Sequence, residues 1–423
     1  MIDIDIKFNK MHKSIVLTLT IIILSFSLLS AQNNAKSLEG LLYSNGKPVS
    51  IKIVDGKIAA LKHLSARKAG AGIYIAPGLI DIQMNGYMGV DFSDQNLKPE
   101  DLKLAINSLR KIGVTSFLPT VVSADPAKMK KSFQNLAAML DDEDIRLSIP
   151  CFHLEGPYLS KMKGFRGAHL EKYIKDPDWD EFSGFQETSK NNIKLITVAP
   201  EIKDAIPFIR KCIEKGVVVS LGHHNGNAQE VAAAVESGAT LSTHLGNGCA
   251  NMIDRHKNPL WPQLANDQLS ASIIADGHHL TKEEVQVFYK AKGVDKTILI
   301  SDAVDLAGLA PGEYNRREKR LILTPDNVVM LPVENVLAGA ATPLTICVEN
   351  MMKFTGCGLA NAIQMASTNP AKLLSLTNLG EIKEGKRADL IMFRIINNKL
   401  EVLKTIVNGK VVYSADKTID NRL

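Results

Sequence analysis

Eight short apolar runs in this 423-residue chain each close on a polar or ligating residue, and that repetition limits the possible folds more than any other feature. The runs cover residues 78–83, 114–120, 149–155, 194–201, 217–223, 239–244, 271–279 and 297–302. Segments with helix signals separate most of them, so the pattern reads as β-α repeated about eight times. An α/β fold is expected, a (β/α)8 TIM-like barrel. In such barrels the catalytic groups collect at the C-terminal ends of the strands. Here those ends carry Gln83 and Asn85, Glu155, His223, His244, His279 and Asp302.

The array is flanked by short β-rich segments. Asn45-Gly46 and Asp55-Gly56 on one side, and Asn408-Gly409 on the other, are strong hairpin signals. The two ends are expected to pair into one small β-sandwich, from residues 32–76 and 372–423. The barrel, residues 77–371, is then inserted between them. Ordinary composition, with 45% hydrophobic and 22% charged residues, suits two globular units.

Residues 1–31 stand apart. Lys7, Lys10 and Lys13 precede an apolar stretch that runs to small residues at Ala31, the pattern of a secretory signal peptide. The stretch is shorter than the ~20 residues of a spanning helix. Export to the periplasm is therefore expected, with no membrane span after cleavage; a start at Met11 is an alternative. If the segment is not a working signal, the protein stays cytoplasmic. The net charge of +5 is spread along the chain rather than clustered, which argues against nucleic-acid binding. Five cysteines without CxxC spacing define neither a disulfide framework nor a thiolate zinc site.

Helix punctuation agrees with the strand count. Asp125-Pro126 predicts an N-cap with proline in the first turn, Thr281 with Glu284 a capping box, and Asn227 a cap for the alanine-rich stretch after it. Gly113, Gly216, Gly238 and Gly293 fall where helices should stop. The less regular region 307–341 contains two runs split by Pro325-Asp326, which suggests a hairpin.

Six of the ten histidines lie between residues 223 and 279. His223 and His244 close consecutive runs, and neighbouring barrel strands about 4.8 Å apart bring such side chains to one ion. Glu155 ends its run at Gly156-Pro157. One Glu and two His leave a position open on a divalent ion, as catalytic zinc sites do. Asp302 is placed to act as base and then acid, and His279 to polarise a carbonyl or hold substrate hydroxyls. His224 and His278 point away from the site by strand alternation, and His153, inside its strand, is expected to pack.

These motifs resemble the amidohydrolase superfamily and, within it, the N-acetylglucosamine-6-phosphate deacetylase family. The matching segments are Ala76-Pro-Gly-Leu-Ile-Asp-Ile-Gln-Met-Asn-Gly, His153-Leu-Glu-Gly-Pro-Tyr, Val198-Ala-Pro-Glu, Gly222-His, Thr243-His-Leu-Gly-Asn, Ala275-Asp-Gly-His-His and Ser301-Asp-Ala. The resemblance implies Glu155, His223 and His244 as metal ligands and Asp302 as general base. It puts His279 on the substrate, with His169, Asn247 and Gly248 lining the sugar pocket and Arg255 on the phosphate. It also implies a homodimer. Gln83 and Asn85 replace the His-x-His that holds a second metal in many superfamily members, so one divalent ion per subunit is expected: zinc, iron or manganese. The chain departs from the family at Leu245-Gly-Asn-Gly-Cys and in His256-Lys-Asn-Pro after Arg255. The expected reaction is deacetylation of N-acetylglucosamine 6-phosphate. The alternatives are an exported enzyme taking an unphosphorylated N-acetyl sugar or another N-acyl compound, and a non-catalytic sugar-binding protein.

Overall fold

The computed structural model describes residues 36–65 and 72–415. The expected signal peptide and its cleavage site lie outside the described residues. Eight parallel strands form one sheet in chain order: β1 (Leu79–Met84), β2 (Val114–Val122), β3 (Phe152–Glu155), β4 (Ile193–Val198), β5 (Val218–Leu221), β6 (Leu241–Ser242), β7 (Ser270–Ile273) and β8 (Thr297–Leu299). The sheet closes where Met84 bridges Ala303, with the Asn85 N–H donating to the Ala303 carbonyl at 2.7 Å.

Alternation along the strands layers the barrel interior. Leu118, Cys151, Leu195 and Leu241 belong to one apolar cluster. Two residues further along each chain segment come Thr120, His153, Thr197 and Thr243, a buried polar layer. His153 Nε2 lies 2.8 Å from Thr197 Oγ1, which in turn lies 2.8 Å from Thr243 Oγ1. His153 therefore does more than pack: it is a hydrogen-bonded floor for Glu155, two residues on. Burial holds it neutral, with its pKa down at about 4.

The chain termini make a second body, as the sequence predicts. Tyr74–Pro77 pairs in parallel with Lys36–Leu42 and antiparallel with Leu390–Ile396, joining both ends in one seven-stranded sheet. Its strands enclose a core of their own that includes Val49, Ile51, Ile58, Ile75, Leu390 and Ile406. The Asp55-Gly56 and Asn408-Gly409 turns have both central residues at positive φ, matching the strand twist.

Helix signals also hold. The Asp125 side chain caps Pro126–Met139, and capping boxes start Ala228–Glu236 and Lys282–Lys296. Gly113, Gly216 and Gly238 follow helix ends with positive φ, and Gly293, at φ 67°, breaks Lys282–Lys296 with a non-helical backbone. Two expectations need correction. The seventh strand ends at Ile273, so His279 sits on the following loop rather than at a strand end. The region before the last helices is a four-stranded meander, not one hairpin: Gly312–Arg316, Lys319–Leu323, Val328–Leu331 and Val336–Ala340. Its first turn, Arg317-Glu318, contains no glycine or asparagine, the signal by which sequence reading finds such turns.

Candidate active site

Three strands end two or three residues short of the group they present. His223, His244 and Asp302 each adopt positive φ, at 52°, 30° and 51°. Such a backbone costs a residue with a Cβ about 1–2 kcal/mol. It turns each side chain out of strand register. Neighbouring strands hold the corners: His244 N–H donates to Ser272 Oγ at 2.8 Å and Asp302 N–H to the Gln83 carbonyl at 3.1 Å.

Glu155, His223 and His244 are buried together. Glu155 Oε1 lies 3.0 Å from His244 Nε2 and 3.3 Å from His223 Nε2, and the two Nε2 atoms are 3.0 Å apart. His223 Nδ1 is 3.1 Å from the Phe165 carbonyl, which only accepts, so the ring proton sits on Nδ1. Nε2 then offers its lone pair to the cluster. One carboxylate oxygen and two imidazole nitrogens converging on one point is a donor set that fits a divalent ion. Burial works to raise the Glu155 carboxyl, but the two imidazoles against it override that and hold it well below its usual range. Burial lowers His223, while Glu155 raises His244 against its own desolvation.

Two amides line the other side of Glu155 and Asp302. Gln83 Nε2 donates to Glu155 Oε1 at 2.8 Å and to Asp302 Oδ1 at 3.2 Å, and Asn85 Nδ2 donates to the same Asp302 oxygen at 2.7 Å. Burial and the Glu155 charge push Asp302 up to about 6. Beneath them Asp81 accepts from Gln83 N–H at 3.2 Å and from Ser301 N–H at 3.2 Å, tying the first strand to the eighth. His279 Nδ1 lies 2.8 Å from Asp276 Oδ2, whose other oxygen accepts the His278 and His279 N–H groups. His279 Nε2 makes no hydrogen bond among the described residues.

Among the residues expected to line the pocket, His169 packs edge-to-face on His223, ring centroids 4.6 Å apart, and its Nδ1 is 3.0 Å from Ser123 Oγ. Asn247 Nδ2 is buried without a protein partner. Gly248 lies against the His223 ring, where a Cβ would come within 2.7 Å of Nδ1. Gly167 backs the same ring from the loop after β3. Arg255 is exposed in the loop before Leu260–Ala265, and its guanidinium makes no hydrogen bond or ion pair among the described residues. His278 is exposed; His224 is buried, with Nδ1 accepting the Gly226 N–H.

Sequence reading missed Asp81, Asp276, Gly167, Arg317 and Lys319. Asp276 had a signal, an Asp-Gly three residues before His279. Arg317 and Lys319 lie in the charge run 316–320, which by itself reads as a solvated face. Instead the turn leans on the barrel mouth. Arg317 pairs with Asp91 and reaches the Asn85 carbonyl at 3.3 Å, and Lys319 Nζ donates to the Ala168 carbonyl.

A closed parallel barrel with a Glu-His-His cluster at its strand ends and a lone aspartate beside it defines a metal-dependent hydrolase. Residues 74–412 match the amidohydrolase family model, and the chain belongs to that family. It acts on amide C–N bonds. Its relatives include the N-acetylglucosamine-6-phosphate deacetylase of Lysinibacillus sphaericus, 30% identical over 84% of this chain and 91% of the relative. The human N-acetylglucosamine-6-phosphate deacetylase is 31% identical over 83% of this chain and 86% of its own. The crystal structure of N-acetylglucosamine-6-phosphate deacetylase from Thermotoga maritima superposes with a TM-score of 0.80 at 29% identity, covering 90% of this chain and all of that one.

Proposed function

We propose that the protein deacetylates N-acetylglucosamine 6-phosphate, releasing acetate and glucosamine 6-phosphate. The observation that carries this reading is Asp302, held by two amides beside a Glu-His-His cluster whose donor atoms could hold a metal ion. The deacetylase relatives point to the same amide bond.

Glu155, His223 and His244 would hold one divalent ion per subunit, zinc being the best match to the donor set. When bound, such an ion acidifies water and polarises the acyl oxygen. Asp302 takes the proton of the attacking water as the C–O bond forms. It passes that proton to the amide nitrogen as the C–N bond breaks and the amine leaves. His279, oriented by Asp276, offers Nε2 to the acyl oxygen. His169, Asn247 and Gly248 surround the sugar, Arg255 meets the phosphate, and a homodimer completes the assembly. A non-catalytic sugar binder has no use for the Asp302 arrangement.

Amine release from N-acetylglucosamine with and without the 6-phosphate, on metal-loaded protein, tests the proposal. Strong preference for the phosphorylated sugar is expected, and silence on both sugars would refute it. Preference for the free sugar would instead establish an unphosphorylated substrate. Residues 1–31 support export to the periplasm; a shortened mature chain in the periplasmic fraction is the expected result, and an intact chain in the cytoplasm the contrary one.

A further inference from the structure

Residues 167–169 form a short bridge between the ligand cluster and the meander. Gly167 lies against the His223 ring, His169 meets that ring edge-to-face, and the Ala168 carbonyl between them accepts from Lys319 Nζ. Lys319 is half-buried there. Its ammonium has three donors, yet one neutral carbonyl is its only hydrogen-bond partner, and no carboxylate lies within ion-pair range among the described residues. Glu318 and Glu334 act on it only at longer range. A partly desolvated cation without a paired anion is unfavourable. Burial, with the Arg317 charge beside it, pulls Lys319 down to about 8.

The position is firmly built. The turn residues Arg317 and Glu318 both have positive φ, at 46° and 62°. Arg317 is held by Asp91, and Glu318 by Lys172 Nζ at 2.6 Å and Tyr173 Oη at 2.9 Å. A strained turn clamped from two sides presents the next residue, Lys319, beside His169 at the mouth of the barrel. A lysine needed only to tie down the Ala168 carbonyl would not have to be a cation, since a neutral donor does the same at lower desolvation cost.

We propose that Lys319 binds an anionic group of the substrate, a phosphate or a carboxylate carried by the N-acetyl amino sugar, as a specificity-determining residue supplied by the subunit's own meander. The inference rests on the deacetylase reading above. The anion would supply the missing countercharge, a 6-phosphate being shared between Lys319 and Arg255, and the pre-set ammonium would fix the sugar with its acetamido group over Asp302.

The test compares wild type, Lys319→Met and Lys319→Arg, all metal-loaded and with metal content measured. The substrates are N-acetylglucosamine, its 6-phosphate, and an N-acetyl amino sugar with an ether-linked carboxylate at C3. A charge-assisted hydrogen bond supports a selectivity of about tenfold or more. Lys319→Met should lower the ratio of kcat/KM for an anionic sugar to that for the neutral one by at least about tenfold, mainly through KM, and Lys319→Arg should restore most of it. Loss confined to the phosphate ester identifies phosphate as the ligand; loss confined to the carboxylated sugar identifies carboxylate. Ratios equal to wild type for both anions would overturn the proposal. If wild type hydrolyses none of the three, the deacetylase reading fails, and titration with inorganic phosphate still decides the role of Lys319: weaker binding in Lys319→Met supports it, equal binding rejects it.

Discussion

Gly248→Ala probes how tightly the ligand cluster is built. Gly248 has a φ of 57°, and an added Cβ would stand 2.7 Å from His223 Nδ1, 2.9 Å from Cε1 and 3.1 Å from Cγ. Comfortable contact begins near 3.5 Å, so the ring must retreat by roughly 0.8 Å. Gly167 already lies close against the ring, and the hydrogen bond to the Phe165 carbonyl at 3.1 Å resists rotation. Ligand distances tolerate only about 0.2 Å, so the displaced Nε2 should cost at least about tenfold to a hundredfold in metal affinity, the range seen when a ligand's supporting contacts are lost. The left-handed backbone adds about 1–2 kcal/mol of destabilisation for any residue with a Cβ. Gly216→Ala isolates that second effect, because Gly216 has a φ of 70° and nothing within 4 Å of its added Cβ. Both variants are to be melted, and their metal affinities measured by competition with a chromogenic chelator. Both should lose stability, and only Gly248→Ala should lose metal. Equal affinities in the two variants would show that the crowding of His223 has no bearing on the cluster.

Asp302→Asn should abolish turnover while leaving metal content near wild type, and measurable turnover would rule out its role as base. With burial and Glu155 setting Asp302 near 6, kcat/KM should fall on the acid side at or below about pH 6, since a bound cation lowers that limb further; a limb above pH 7 would contradict it. Gln83→Leu removes the donor shared by Glu155 Oε1 and Asp302 Oδ1, so the acid limb should move up by about a unit, at a cost of about 1.5–3 kcal/mol in transition-state stabilisation; an unmoved limb would refute the coupling. His153 is neutral in the fold, with a pKa of about 4 against 6.5 unfolded. The native state therefore binds fewer protons than the unfolded chain in that window. Its contribution is present above about pH 6.5 and is lost as pH falls toward 4, on the order of 3 kcal/mol. Urea melts at pH 7 and 4.5 should show a smaller acid loss in His153→Asn than in wild type. Chelation should lower Tm and activity together, both restored by divalent metal.

Much of this architecture is legible in the amino-acid sequence, and the reasons are local. Parallel barrel strands are buried on both faces, so each appears as an apolar run. Caps such as Asp125, Asn227 and Thr281 act within three residues of themselves, and turns such as Asp55-Gly56 need residues that accept positive φ. The metal-ligand candidates were legible because a buried Glu or His ending an apolar run has few structural reasons to be there. The mainly apolar stretch 271–275 suggests a strand leading to His279; the strand stops at Ile273, and Asp276 rather than a β-ladder holds the imidazole.

What the amino-acid sequence determined by itself was therefore the repeat, the pairing of the two β-rich ends, and the inventory of acids and imidazoles. The tertiary structure alone decided how that inventory is aimed. The left-handed corner at His244 depends on Ser272 of the next strand, and the His223 ring on Phe165, Gly167 and Gly248 from distant loops, while the Asp302 corner and the amides bridging Glu155 and Asp302 depend on closing β8 against β1. The Arg317-Glu318 turn comes to the mouth only because Asp91, Lys172 and Tyr173 receive it there. Short-range preferences are written in neighbouring residues; contacts between groups more than two hundred residues apart, such as Gln83 with Asp302, exist only once the barrel closes.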